Sequence, residues 1–306
     1  LFGDDEDPEN EAGITTPILN KAISTRLAPG SIFKMVTGIA GVAEGVLDMN
    51  EQISCEYEYV IVNEDGTRIE QNAPRCHVNG LAQSHAKHAN QTLVDAIRNS
   101  CNYYFCEVAY RLGIERLYDW AEAFGLTSPT NIELTGEATG IVGKQDVLFD
   151  NTLMNEENLV EVYGQKTSLP GLIYRKLKEK LTEFVELRHM EVEDEAIDRC
   201  ARRLMELQDG SVEGKGDQIR QIISDEIGIP VGITIERQDW TNAISSLLTE
   251  LQWKATQTIR TGFGQGVTLV TPIAVARYAS AIANKGTVYD AHIVDRILDS
   301  EGNPIE

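Results

Sequence analysis

The pattern of hydrophobic and polar positions predicts a chain with short mixed elements at its two ends and helices in its middle. After an acidic, polar start, an uncharged run rich in alanine and glycine follows Pro29-Gly30, which predicts a buried helix that ends near Gly45. Residues 57–70 alternate between apolar and polar side chains around Asp65-Gly66, which predicts a β-hairpin. Short helices are predicted after it over residues 90–99, 103–112 and 115–124.

Residues 152–255 change to charged, amphipathic periodicity that is typical of surface helices. Leu177, Leu181 and Phe184 mark the apolar face of one such helix. Helices are predicted here over residues 172–188, 193–208, 217–227 and 239–256, with a glycine-rich hinge before the third. This stretch carries no catalytic signature of its own, so we predict a helical insertion.

The insertion is expected to interrupt one domain, made of residues 1–151 and 256–306. Within the insertion, His189 and Cys200 are predicted to be structural. Beyond it the chain becomes rich in glycine again, and Thr271-Pro272 then predicts another helix. Threonine is a good N-cap and proline is favoured at the first helical position.

Composition limits the classes of function. The chain has 306 residues and is 42% hydrophobic, which suits one large or two medium domains. Its net charge of −21 argues against binding nucleic acid or anionic lipid through a basic field. No run reaches the ~18 apolar residues of a membrane span, and no signal peptide is present. Because the sequence begins at Leu1 without methionine and stops just after a turn, we expect a fragment whose membrane anchor lies outside it.

Two side chains at helical spacing lie where the first buried helix begins. Ser31 is near its N-terminus and Lys34 follows three residues later, so the two share a face. A serine hydroxyl is a strong nucleophile only when a base takes its proton, and an amine serves as that base when burial lowers its pKa. The pair therefore indicates a serine nucleophile with a lysine base, although Ser-x-x-Lys also arises by chance at protein surfaces.

A second polar pair, Ser100 and Asn102, lies between two predicted helices. Residues i and i+2 of a short extended segment point the same way, so both side chains are expected to face one cleft. A hydroxyl suits proton transfer to a leaving amine. An amide suits holding a substrate peptide and positioning Lys34.

These segments, with two later ones, resemble the transpeptidase domain of class B penicillin-binding proteins. In the family's order, the motifs are Pro29-Gly30-Ser31-Ile32-Phe33-Lys34, Ser100-Cys101-Asn102, Gly262-Phe263-Gly264-Gln265-Gly266 and the Thr271-Pro272 helix. The resemblance covers about residues 15–150 and 255–306. It implies an α/β (α+β) fold of the penicillin-binding transpeptidase type, an antiparallel sheet flanked by helices. The fold is expected to carry the helical insertion and to be incomplete at both ends.

The resemblance also implies the chemistry. By their match to the family's motifs, seven residues would form the site: Ser31 as acylated nucleophile, Lys34 as general base, Ser100 as proton shuttle, Asn102 as substrate-binding amide, and Gly264, Gln265 and Gly266 as support at its rear. The reaction would be peptidoglycan D,D-transpeptidation of stem peptides, inhibited by β-lactams and requiring no cofactor for catalysis. The expected place is the extracytoplasmic face of the bacterial cell membrane, with a glycosyltransferase partner.

One motif of the family, Lys-Thr-Gly on a strand lining the cleft, is missing. Arg260-Thr261-Gly262 resembles it but lies directly before Gly-Gln-Gly, so Arg260 is not assigned that role. The Lys-Thr-Gly strand is expected beyond Glu306, and the fragment alone is expected to label weakly with penicillin. Two rivals remain: a non-catalytic scaffold of a divisome or elongasome complex, and a class D-like β-lactamase or its sensor relative, which usually shows Ser-x-Val.

Four of the five cysteines fall in one window together with three histidines. Cys101 lies between the two polar residues of the second pair, so its side chain is expected to point away from the cleft. One prediction is a structural Zn²⁺ site formed by Cys55, Cys76, His85 and Cys101, with His77, His88 and Cys106 as substitutes. The alternatives are small buried hydrophobes beside loop histidines, or a Cys55–Cys76 disulfide in an extracytoplasmic protein.

Overall fold

The computed structural model describes residues 20–62, 66–69, 74–77, 88–150, 152, 168–208 and 214–305. The chain divides into two compact units, one formed by Leu1–Lys144 with Ala255–Glu306 and the other by Gln145–Lys254. The division falls a few residues before the predicted boundary at 151, because Gln145 is bonded into the helical unit. Its side-chain amide donates to the Leu251 carbonyl at 3.0 Å and its oxygen accepts from the Trp253 N–H at 2.7 Å.

The serine segment begins the first unit's core. A short helix α1, Lys21–Ser24, is followed by a 3₁₀ turn at Gly30–Phe33 and by helix α2, Lys34–Ala43. The glycines of α2 allow close approach to its neighbours. A Cβ on Gly38 would lie 2.9 Å from Leu93, and one on Gly41 would lie 2.6 Å from Val108. The alanine- and glycine-rich pattern therefore reflects tight helix packing, and the predicted helix is confirmed.

Three helices follow in the same unit: α3 is Leu93–Arg98, α4 is Asn102–Leu112 and α5 is Ile114–Ala123. Thr92 caps α3 through a capping box with Asp95. Gly113, with φ of 77°, separates α4 from α5. All three predicted helices are confirmed, with boundaries that shift by one to a few residues.

The described strands are short. Strand β1, Ile61–Val62, pairs antiparallel with β2, Arg68–Ile69, and β3, Ile297–Leu298, pairs antiparallel with β4, Pro304–Ile305. The predicted hairpin thus forms, while Asp65 of its turn lies outside the described residues. Isolated antiparallel bridges, including Leu27 to Val270, tie distant segments together. Within the described ranges, the predicted sheet consists of these two pairs and the bridges.

The second unit is helical. In chain order its helices are α6 Gln145–Leu148, α7 Leu169–Leu187, α8 Asp194–Met205, α9 Gly216–Ile227, α10 Val231–Glu236 and α11 Gln238–Thr249. Leu177, Leu181 and Cys200 are fully buried in its core, where the rings of Phe184 and Trp240 stack 4.3 Å apart. His189 lies exposed with φ of 52° just after α7. Among the described residues, neither His189 nor Cys200 belongs to the group of side chains that could hold a metal ion.

The prediction of one helix over residues 239–256 is wrong. Helix α11 ends at Thr249, and α12, Ala255–Thr261, is a separate helix of the first unit. The chain turns between them because Leu251 and Trp253 are held by Gln145. Helix α13, Pro272–Ala283, begins as predicted, with the Thr271 side chain accepting from the Ala274 N–H. In the described part of the chain, no helix is both long and apolar enough to cross a membrane.

Candidate active site

The nucleophile candidate Ser31 lies exposed on the 3₁₀ turn that precedes α2. Gly30 has φ of 55°, a left-handed conformation that glycine adopts without steric cost. Its N–H donates to the Gly264 carbonyl at 2.9 Å. The turn is thereby held from the opposite side by the glycine-rich segment, and Ser31 projects at the start of a helical segment whose dipole favours negative charge.

Lys34 is almost completely buried, with 2% of its surface exposed. Its Nζ donates to the Ser100 carbonyl at 2.8 Å, to Ser100 Oγ at 3.0 Å and to Asn102 Oδ1 at 2.7 Å. A lysine ammonium has three protons, so these three acceptors satisfy it. The structure therefore brings together the four predicted catalytic residues around one buried amine.

The serine and the lysine are connected through Ser100. Ser100 Oγ donates to Ser31 Oγ at 2.9 Å and accepts from Lys34 Nζ. Among the hydrogen bonds of the described residues, none joins Lys34 Nζ to Ser31 Oγ directly. The expectation that the amine reaches the nucleophile through their shared helical face is thus replaced by a two-step path through a second hydroxyl.

Burial changes the basicity of Lys34. Removal of the amine from water lowers its pKa from 10.5 to about 8, against opposing contributions from nearby thiols, foremost Cys101. Its Nζ also lies 5.8 Å from the centre of the Phe105 ring. At pH 7 roughly a tenth of such an amine is neutral and able to accept a proton. An amine with this pKa is suited to accept a proton near neutral pH.

Local backbone geometry presents the second polar pair. Ser100 has φ of 51°, which is uncommon for a residue with a side chain and marks a strained turn after α3. Cys101 is extended, with φ of −72° and ψ of 109°, and Asn102 is the first residue of α4. The amide of Asn102 also donates to the Arg75 carbonyl at 3.1 Å. Asn102 is therefore fixed at both of its side-chain atoms.

The glycine-rich segment approaches the serine turn through one residue. A Cβ on Gly264 would lie 2.1 Å from the Gly30 oxygen, so the two backbones touch. Thr37 Oγ1, buried in α2, donates to the Gly262 carbonyl at 2.6 Å. Gln265 and Gly266 are exposed, and the Gln265 N–H donates to the Arg260 carbonyl. Of the three predicted supporting residues, Gly264 alone is shown in contact with the turn that carries Ser31.

Directly behind the polar pair, three thiols and one imidazole converge. The ligand atoms of Cys55, Cys76, His88 and Cys101 all lie within 4.8 Å of one another, and all four residues are buried. Cys76 Sγ is 3.9 Å from Cys101 Sγ and 3.5 Å from His88 Nδ1. Zinc bonds of about 2.3 Å to sulfur and 2.0–2.1 Å to nitrogen in a tetrahedron imply ligand edges near these distances. The four side chains therefore fit a zinc ion.

The histidine predicted as a ligand, His85, lies outside the described residues. Among the described residues His88, named as a substitute, completes the group: its Nδ1 is 3.5 Å from Cys76 Sγ, whereas His77 Nδ1 is 3.9 Å from that sulfur and is not part of the group. His77 packs edge-on against His88 with ring centres 5.4 Å apart, and Cys106 is buried outside the group. None of the five cysteines, all of which lie in the described ranges, forms a disulfide, so the alternative Cys55–Cys76 bond is not present.

Two contacts of the site were missed from the sequence. The Arg75 carbonyl binds the Asn102 amide through the backbone, which leaves no trace in residue type. The Phe105 ring lies near Lys34. Phe105 follows Asn102 by three residues on α4, so the sequence could have placed both side chains on one face of the helix.

Comparison with known proteins gives consistent matches. A family model described as penicillin binding protein transpeptidase domain matches residues 2–163 and 236–306, more than half of the chain. Stage V sporulation protein D of Bacillus subtilis is 31% identical over 140 residues, which are 45% of this chain and 20% of that protein. Peptidoglycan D,D-transpeptidase MrdA of Haemophilus influenzae is 28% identical over 124 residues, 40% of this chain and 17% of that protein. The matched stretch is a fifth or less of these relatives.

Solved structures match over nearly the whole chain. The crystal structure of Pseudomonas aeruginosa PBP2 in complex with WCK 5153 has a TM-score of 0.51 and 18% identity, covering 95% of this chain and 40% of that chain. PBP2 from Helicobacter pylori has a TM-score of 0.50 and 17% identity, covering 97% and 35%. These likenesses establish the fold, and the α+β class predicted from the sequence is confirmed.

Proposed function

This chain belongs to the penicillin-binding protein transpeptidase family, and on that premise we propose that it is part of a peptidoglycan D,D-transpeptidase that forms an acyl-enzyme on Ser31. The observation that carries the proposal is the continuous path of hydrogen bonds from Ser31 Oγ through Ser100 Oγ to the buried amine of Lys34. Several relatives are named peptidoglycan D,D-transpeptidases, which supports the substrate class.

The proposed acylation uses that path. Neutral Lys34 takes a proton that Ser31 passes through Ser100, while Ser31 Oγ attacks the carbonyl carbon of the penultimate D-Ala of a stem peptide. The tetrahedral intermediate collapses, the peptide C–N bond breaks, and the proton returns through Ser100 to the leaving D-Ala amine. An amine of a neighbouring strand then attacks the acyl-enzyme carbonyl, and neutral Lys34 takes a proton from that amine through Ser100. The same proton passes back through Ser100 to Ser31 Oγ as the ester C–O bond breaks and the new peptide bond is left.

The remaining groups would position the reactants. Asn102 is bonded to Lys34 and to the Arg75 carbonyl, so its amide would hold the lysine and present a fixed edge to the peptide. Gly264 would support the turn from behind. We further propose that β-lactams acylate the same serine, and that the protein works at the extracytoplasmic face of the bacterial membrane with a glycosyltransferase partner.

Labelling with fluorescent penicillin tests the proposal. The full-length natural protein is expected to gain one label on Ser31, located by mass spectrometry, and its Ser31→Ala variant is expected to gain none. Ser24→Ala is the matched control, because Ser24 is a serine of the same segment whose hydroxyl donates to the Asn20 carbonyl. Label retained on Ser31→Ala, or absent from the wild type, would refute the assignment of the nucleophile.

We also propose that Cys55, Cys76, His88 and Cys101 hold a structural zinc ion. The support is the convergence of three thiols and one imidazole in a buried cluster of the right size. A bound zinc ion would cross-link the chain at residues 55, 76, 88 and 101 in the folded state. Catalysis itself requires no cofactor in the proposed mechanism.

Elemental analysis tests this second proposal. About one zinc ion per chain is expected, as for a closed four-ligand site. Chelation and Cys55→Ser should both lower the melting temperature, while Cys106→Ala, a buried cysteine outside the cluster, should keep the metal. A metal-free protein whose melting temperature is unchanged by chelator would leave the thiols as ordinary core residues.

A further inference from the structure

Tyr278 makes an unusual contact with the segment that carries Ser31. It lies on α13 and is 1% exposed, and its hydroxyl donates to the Ile32 carbonyl at 3.0 Å. The Val36 backbone faces the same hydroxyl and lowers its pKa, against the larger opposite effect of burial. One phenol therefore meets the serine segment from an element 246 positions further along the chain.

Those two backbone groups have a specific relation. A regular α-helix pairs the carbonyl of residue i with the N–H of residue i+4, which here are Ile32 and Val36. The Tyr278 hydroxyl donates to the Ile32 carbonyl and faces the Val36 backbone at the point where the 3₁₀ turn of Gly30–Phe33 passes into α2. A side chain that bonds the groups of this ladder is a known cause of local departure from α-helical geometry.

The 3₁₀ geometry matters for the catalytic pair. With three residues per turn, side chains at i and i+3 eclipse one another, whereas an α-helix offsets them by about 60°. Ser31 and Lys34 are such a pair, and Lys34 is the first residue of α2. The turn thus sets the direction of Ser31 relative to the buried amine, and with it the 2.9 Å contact between Ser31 Oγ and Ser100 Oγ.

Tyr278 is itself held rigidly. Its ring packs edge-on against Phe124 with centres 5.3 Å apart. The neighbouring Arg277 is buried and donates to the carbonyls of Pro129 and Ser128, which anchors α13. Burial raises the pKa of the Tyr278 hydroxyl, so it stays protonated and remains a donor.

We propose that Tyr278 is a positioning residue that holds the serine turn in its 3₁₀ form and so aims Ser31 Oγ at Ser100. The inference rests on the proposed acylation of Ser31 for its kinetic consequence. Its structural consequence stands independently of that function. Without the hydroxyl, the Ile32 carbonyl loses this donor, and the turn is free to relax toward α-helical geometry.

Tyr278→Phe in the natural protein is the test, since it removes one oxygen and keeps the ring. Fluorescent penicillin should label Ser31 at least tenfold more slowly, because a displacement of about 1 Å at a reacting group can lower a rate by up to a hundredfold. The non-covalent dissociation constant for penicillin should change less than twofold. Tyr174→Phe is the matched control, because it also removes a hydrogen-bonded hydroxyl, in the helical unit. It should label at the wild-type rate.

A crystal structure of Tyr278→Phe gives the second readout. It should show residues 30–33 shifted toward α-helical geometry and a longer distance between Ser31 Oγ and Ser100 Oγ. An unchanged turn refutes the inference whether or not the wild type reacts with penicillin. Wild-type labelling kinetics in the variant, or equal losses in Tyr278→Phe and Tyr174→Phe, would also overturn it. A wild type that does not label instead refutes the proposed function, and the crystal structure then decides the role of Tyr278 alone.

Discussion

The approach of Gly264 to Gly30 allows a sharp test of how the serine turn is supported. Gly264 has φ of 75°, and a Cβ there would lie 2.1 Å from the Gly30 oxygen and 2.8 Å from its carbon and nitrogen. Real Cβ contacts do not come this close, and the obstacle is backbone rather than a flexible side chain. Gly264→Ala must therefore displace Gly30, and Ser31 is the next residue.

The expected loss of stability has two parts. Placing alanine in a left-handed conformation costs about 1–2 kcal/mol, and forcing a methyl group into filled space adds about 1–3 kcal/mol. Gly266→Ala measures the conformational cost without the overpacking cost. Gly266 has φ of 84°, but a Cβ there meets only Arg260 Cβ at an ordinary 3.8 Å. The control should lose about 1–2 kcal/mol, and Gly264→Ala should lose about 1–3 kcal/mol more.

Two assays measure the comparison. Denaturant unfolding of both variants gives the difference in stability, and the rate of penicillin labelling reports the position of Ser31. Gly264→Ala should label at least tenfold more slowly than Gly266→Ala, since the displaced turn misaligns the nucleophile. Equal destabilisation of the two variants, or normal labelling of Gly264→Ala, would show that Gly264 does not support the serine turn.

Two further predictions concern the base and the insertion. Because only neutral Lys34 accepts a proton, the labelling rate should rise about tenfold per pH unit below its pKa of about 8 and level off above it. Lys34→Met should abolish labelling across this pH range. A flat profile in the wild type would exclude Lys34 as the base. Replacing residues 157–250 with a short linker should leave labelling intact, since every group of the site lies in the other unit. Gln145 keeps its partners Leu251 and Trp253 in this variant. A folded deletion variant that no longer labels would show that these helices shape the site.

Local signals were enough to predict the elements around the site. The glycine- and alanine-rich run, the Thr271 cap and the spacing of Ser31 and Lys34 each depend on neighbours within a few residues. The path between Ser31 and Lys34 through Ser100 could not be derived this way. It depends on a contact between residues 66 positions apart, whose distance only the packing of α2 against α4 determines.

The same limit applies to the helix predicted over residues 239–256 and to the histidine of the thiol cluster. Hydrophobic periodicity continues from α11 into the next segment, so the end of the helix at Thr249 is invisible without Gln145, which bonds Leu251 from 106 positions earlier. For the thiol cluster, the sequence offered three histidines of a polar loop as candidates for the fourth ligand. Choosing His88 required knowing that its ring lies against Cys76.

Cys101 shows how one short segment serves both groups of side chains. Its extended backbone makes neighbouring side chains point in opposite directions, so Ser100 and Asn102 reach Lys34 while Cys101 reaches Cys76. The strained φ of Ser100 would relax in a free loop, but burial of Cys101 on one side and three bonds from Lys34 on the other oppose that relaxation. The orientation of the Ser100 hydroxyl is therefore determined jointly by the polar cleft and by the thiol cluster behind it.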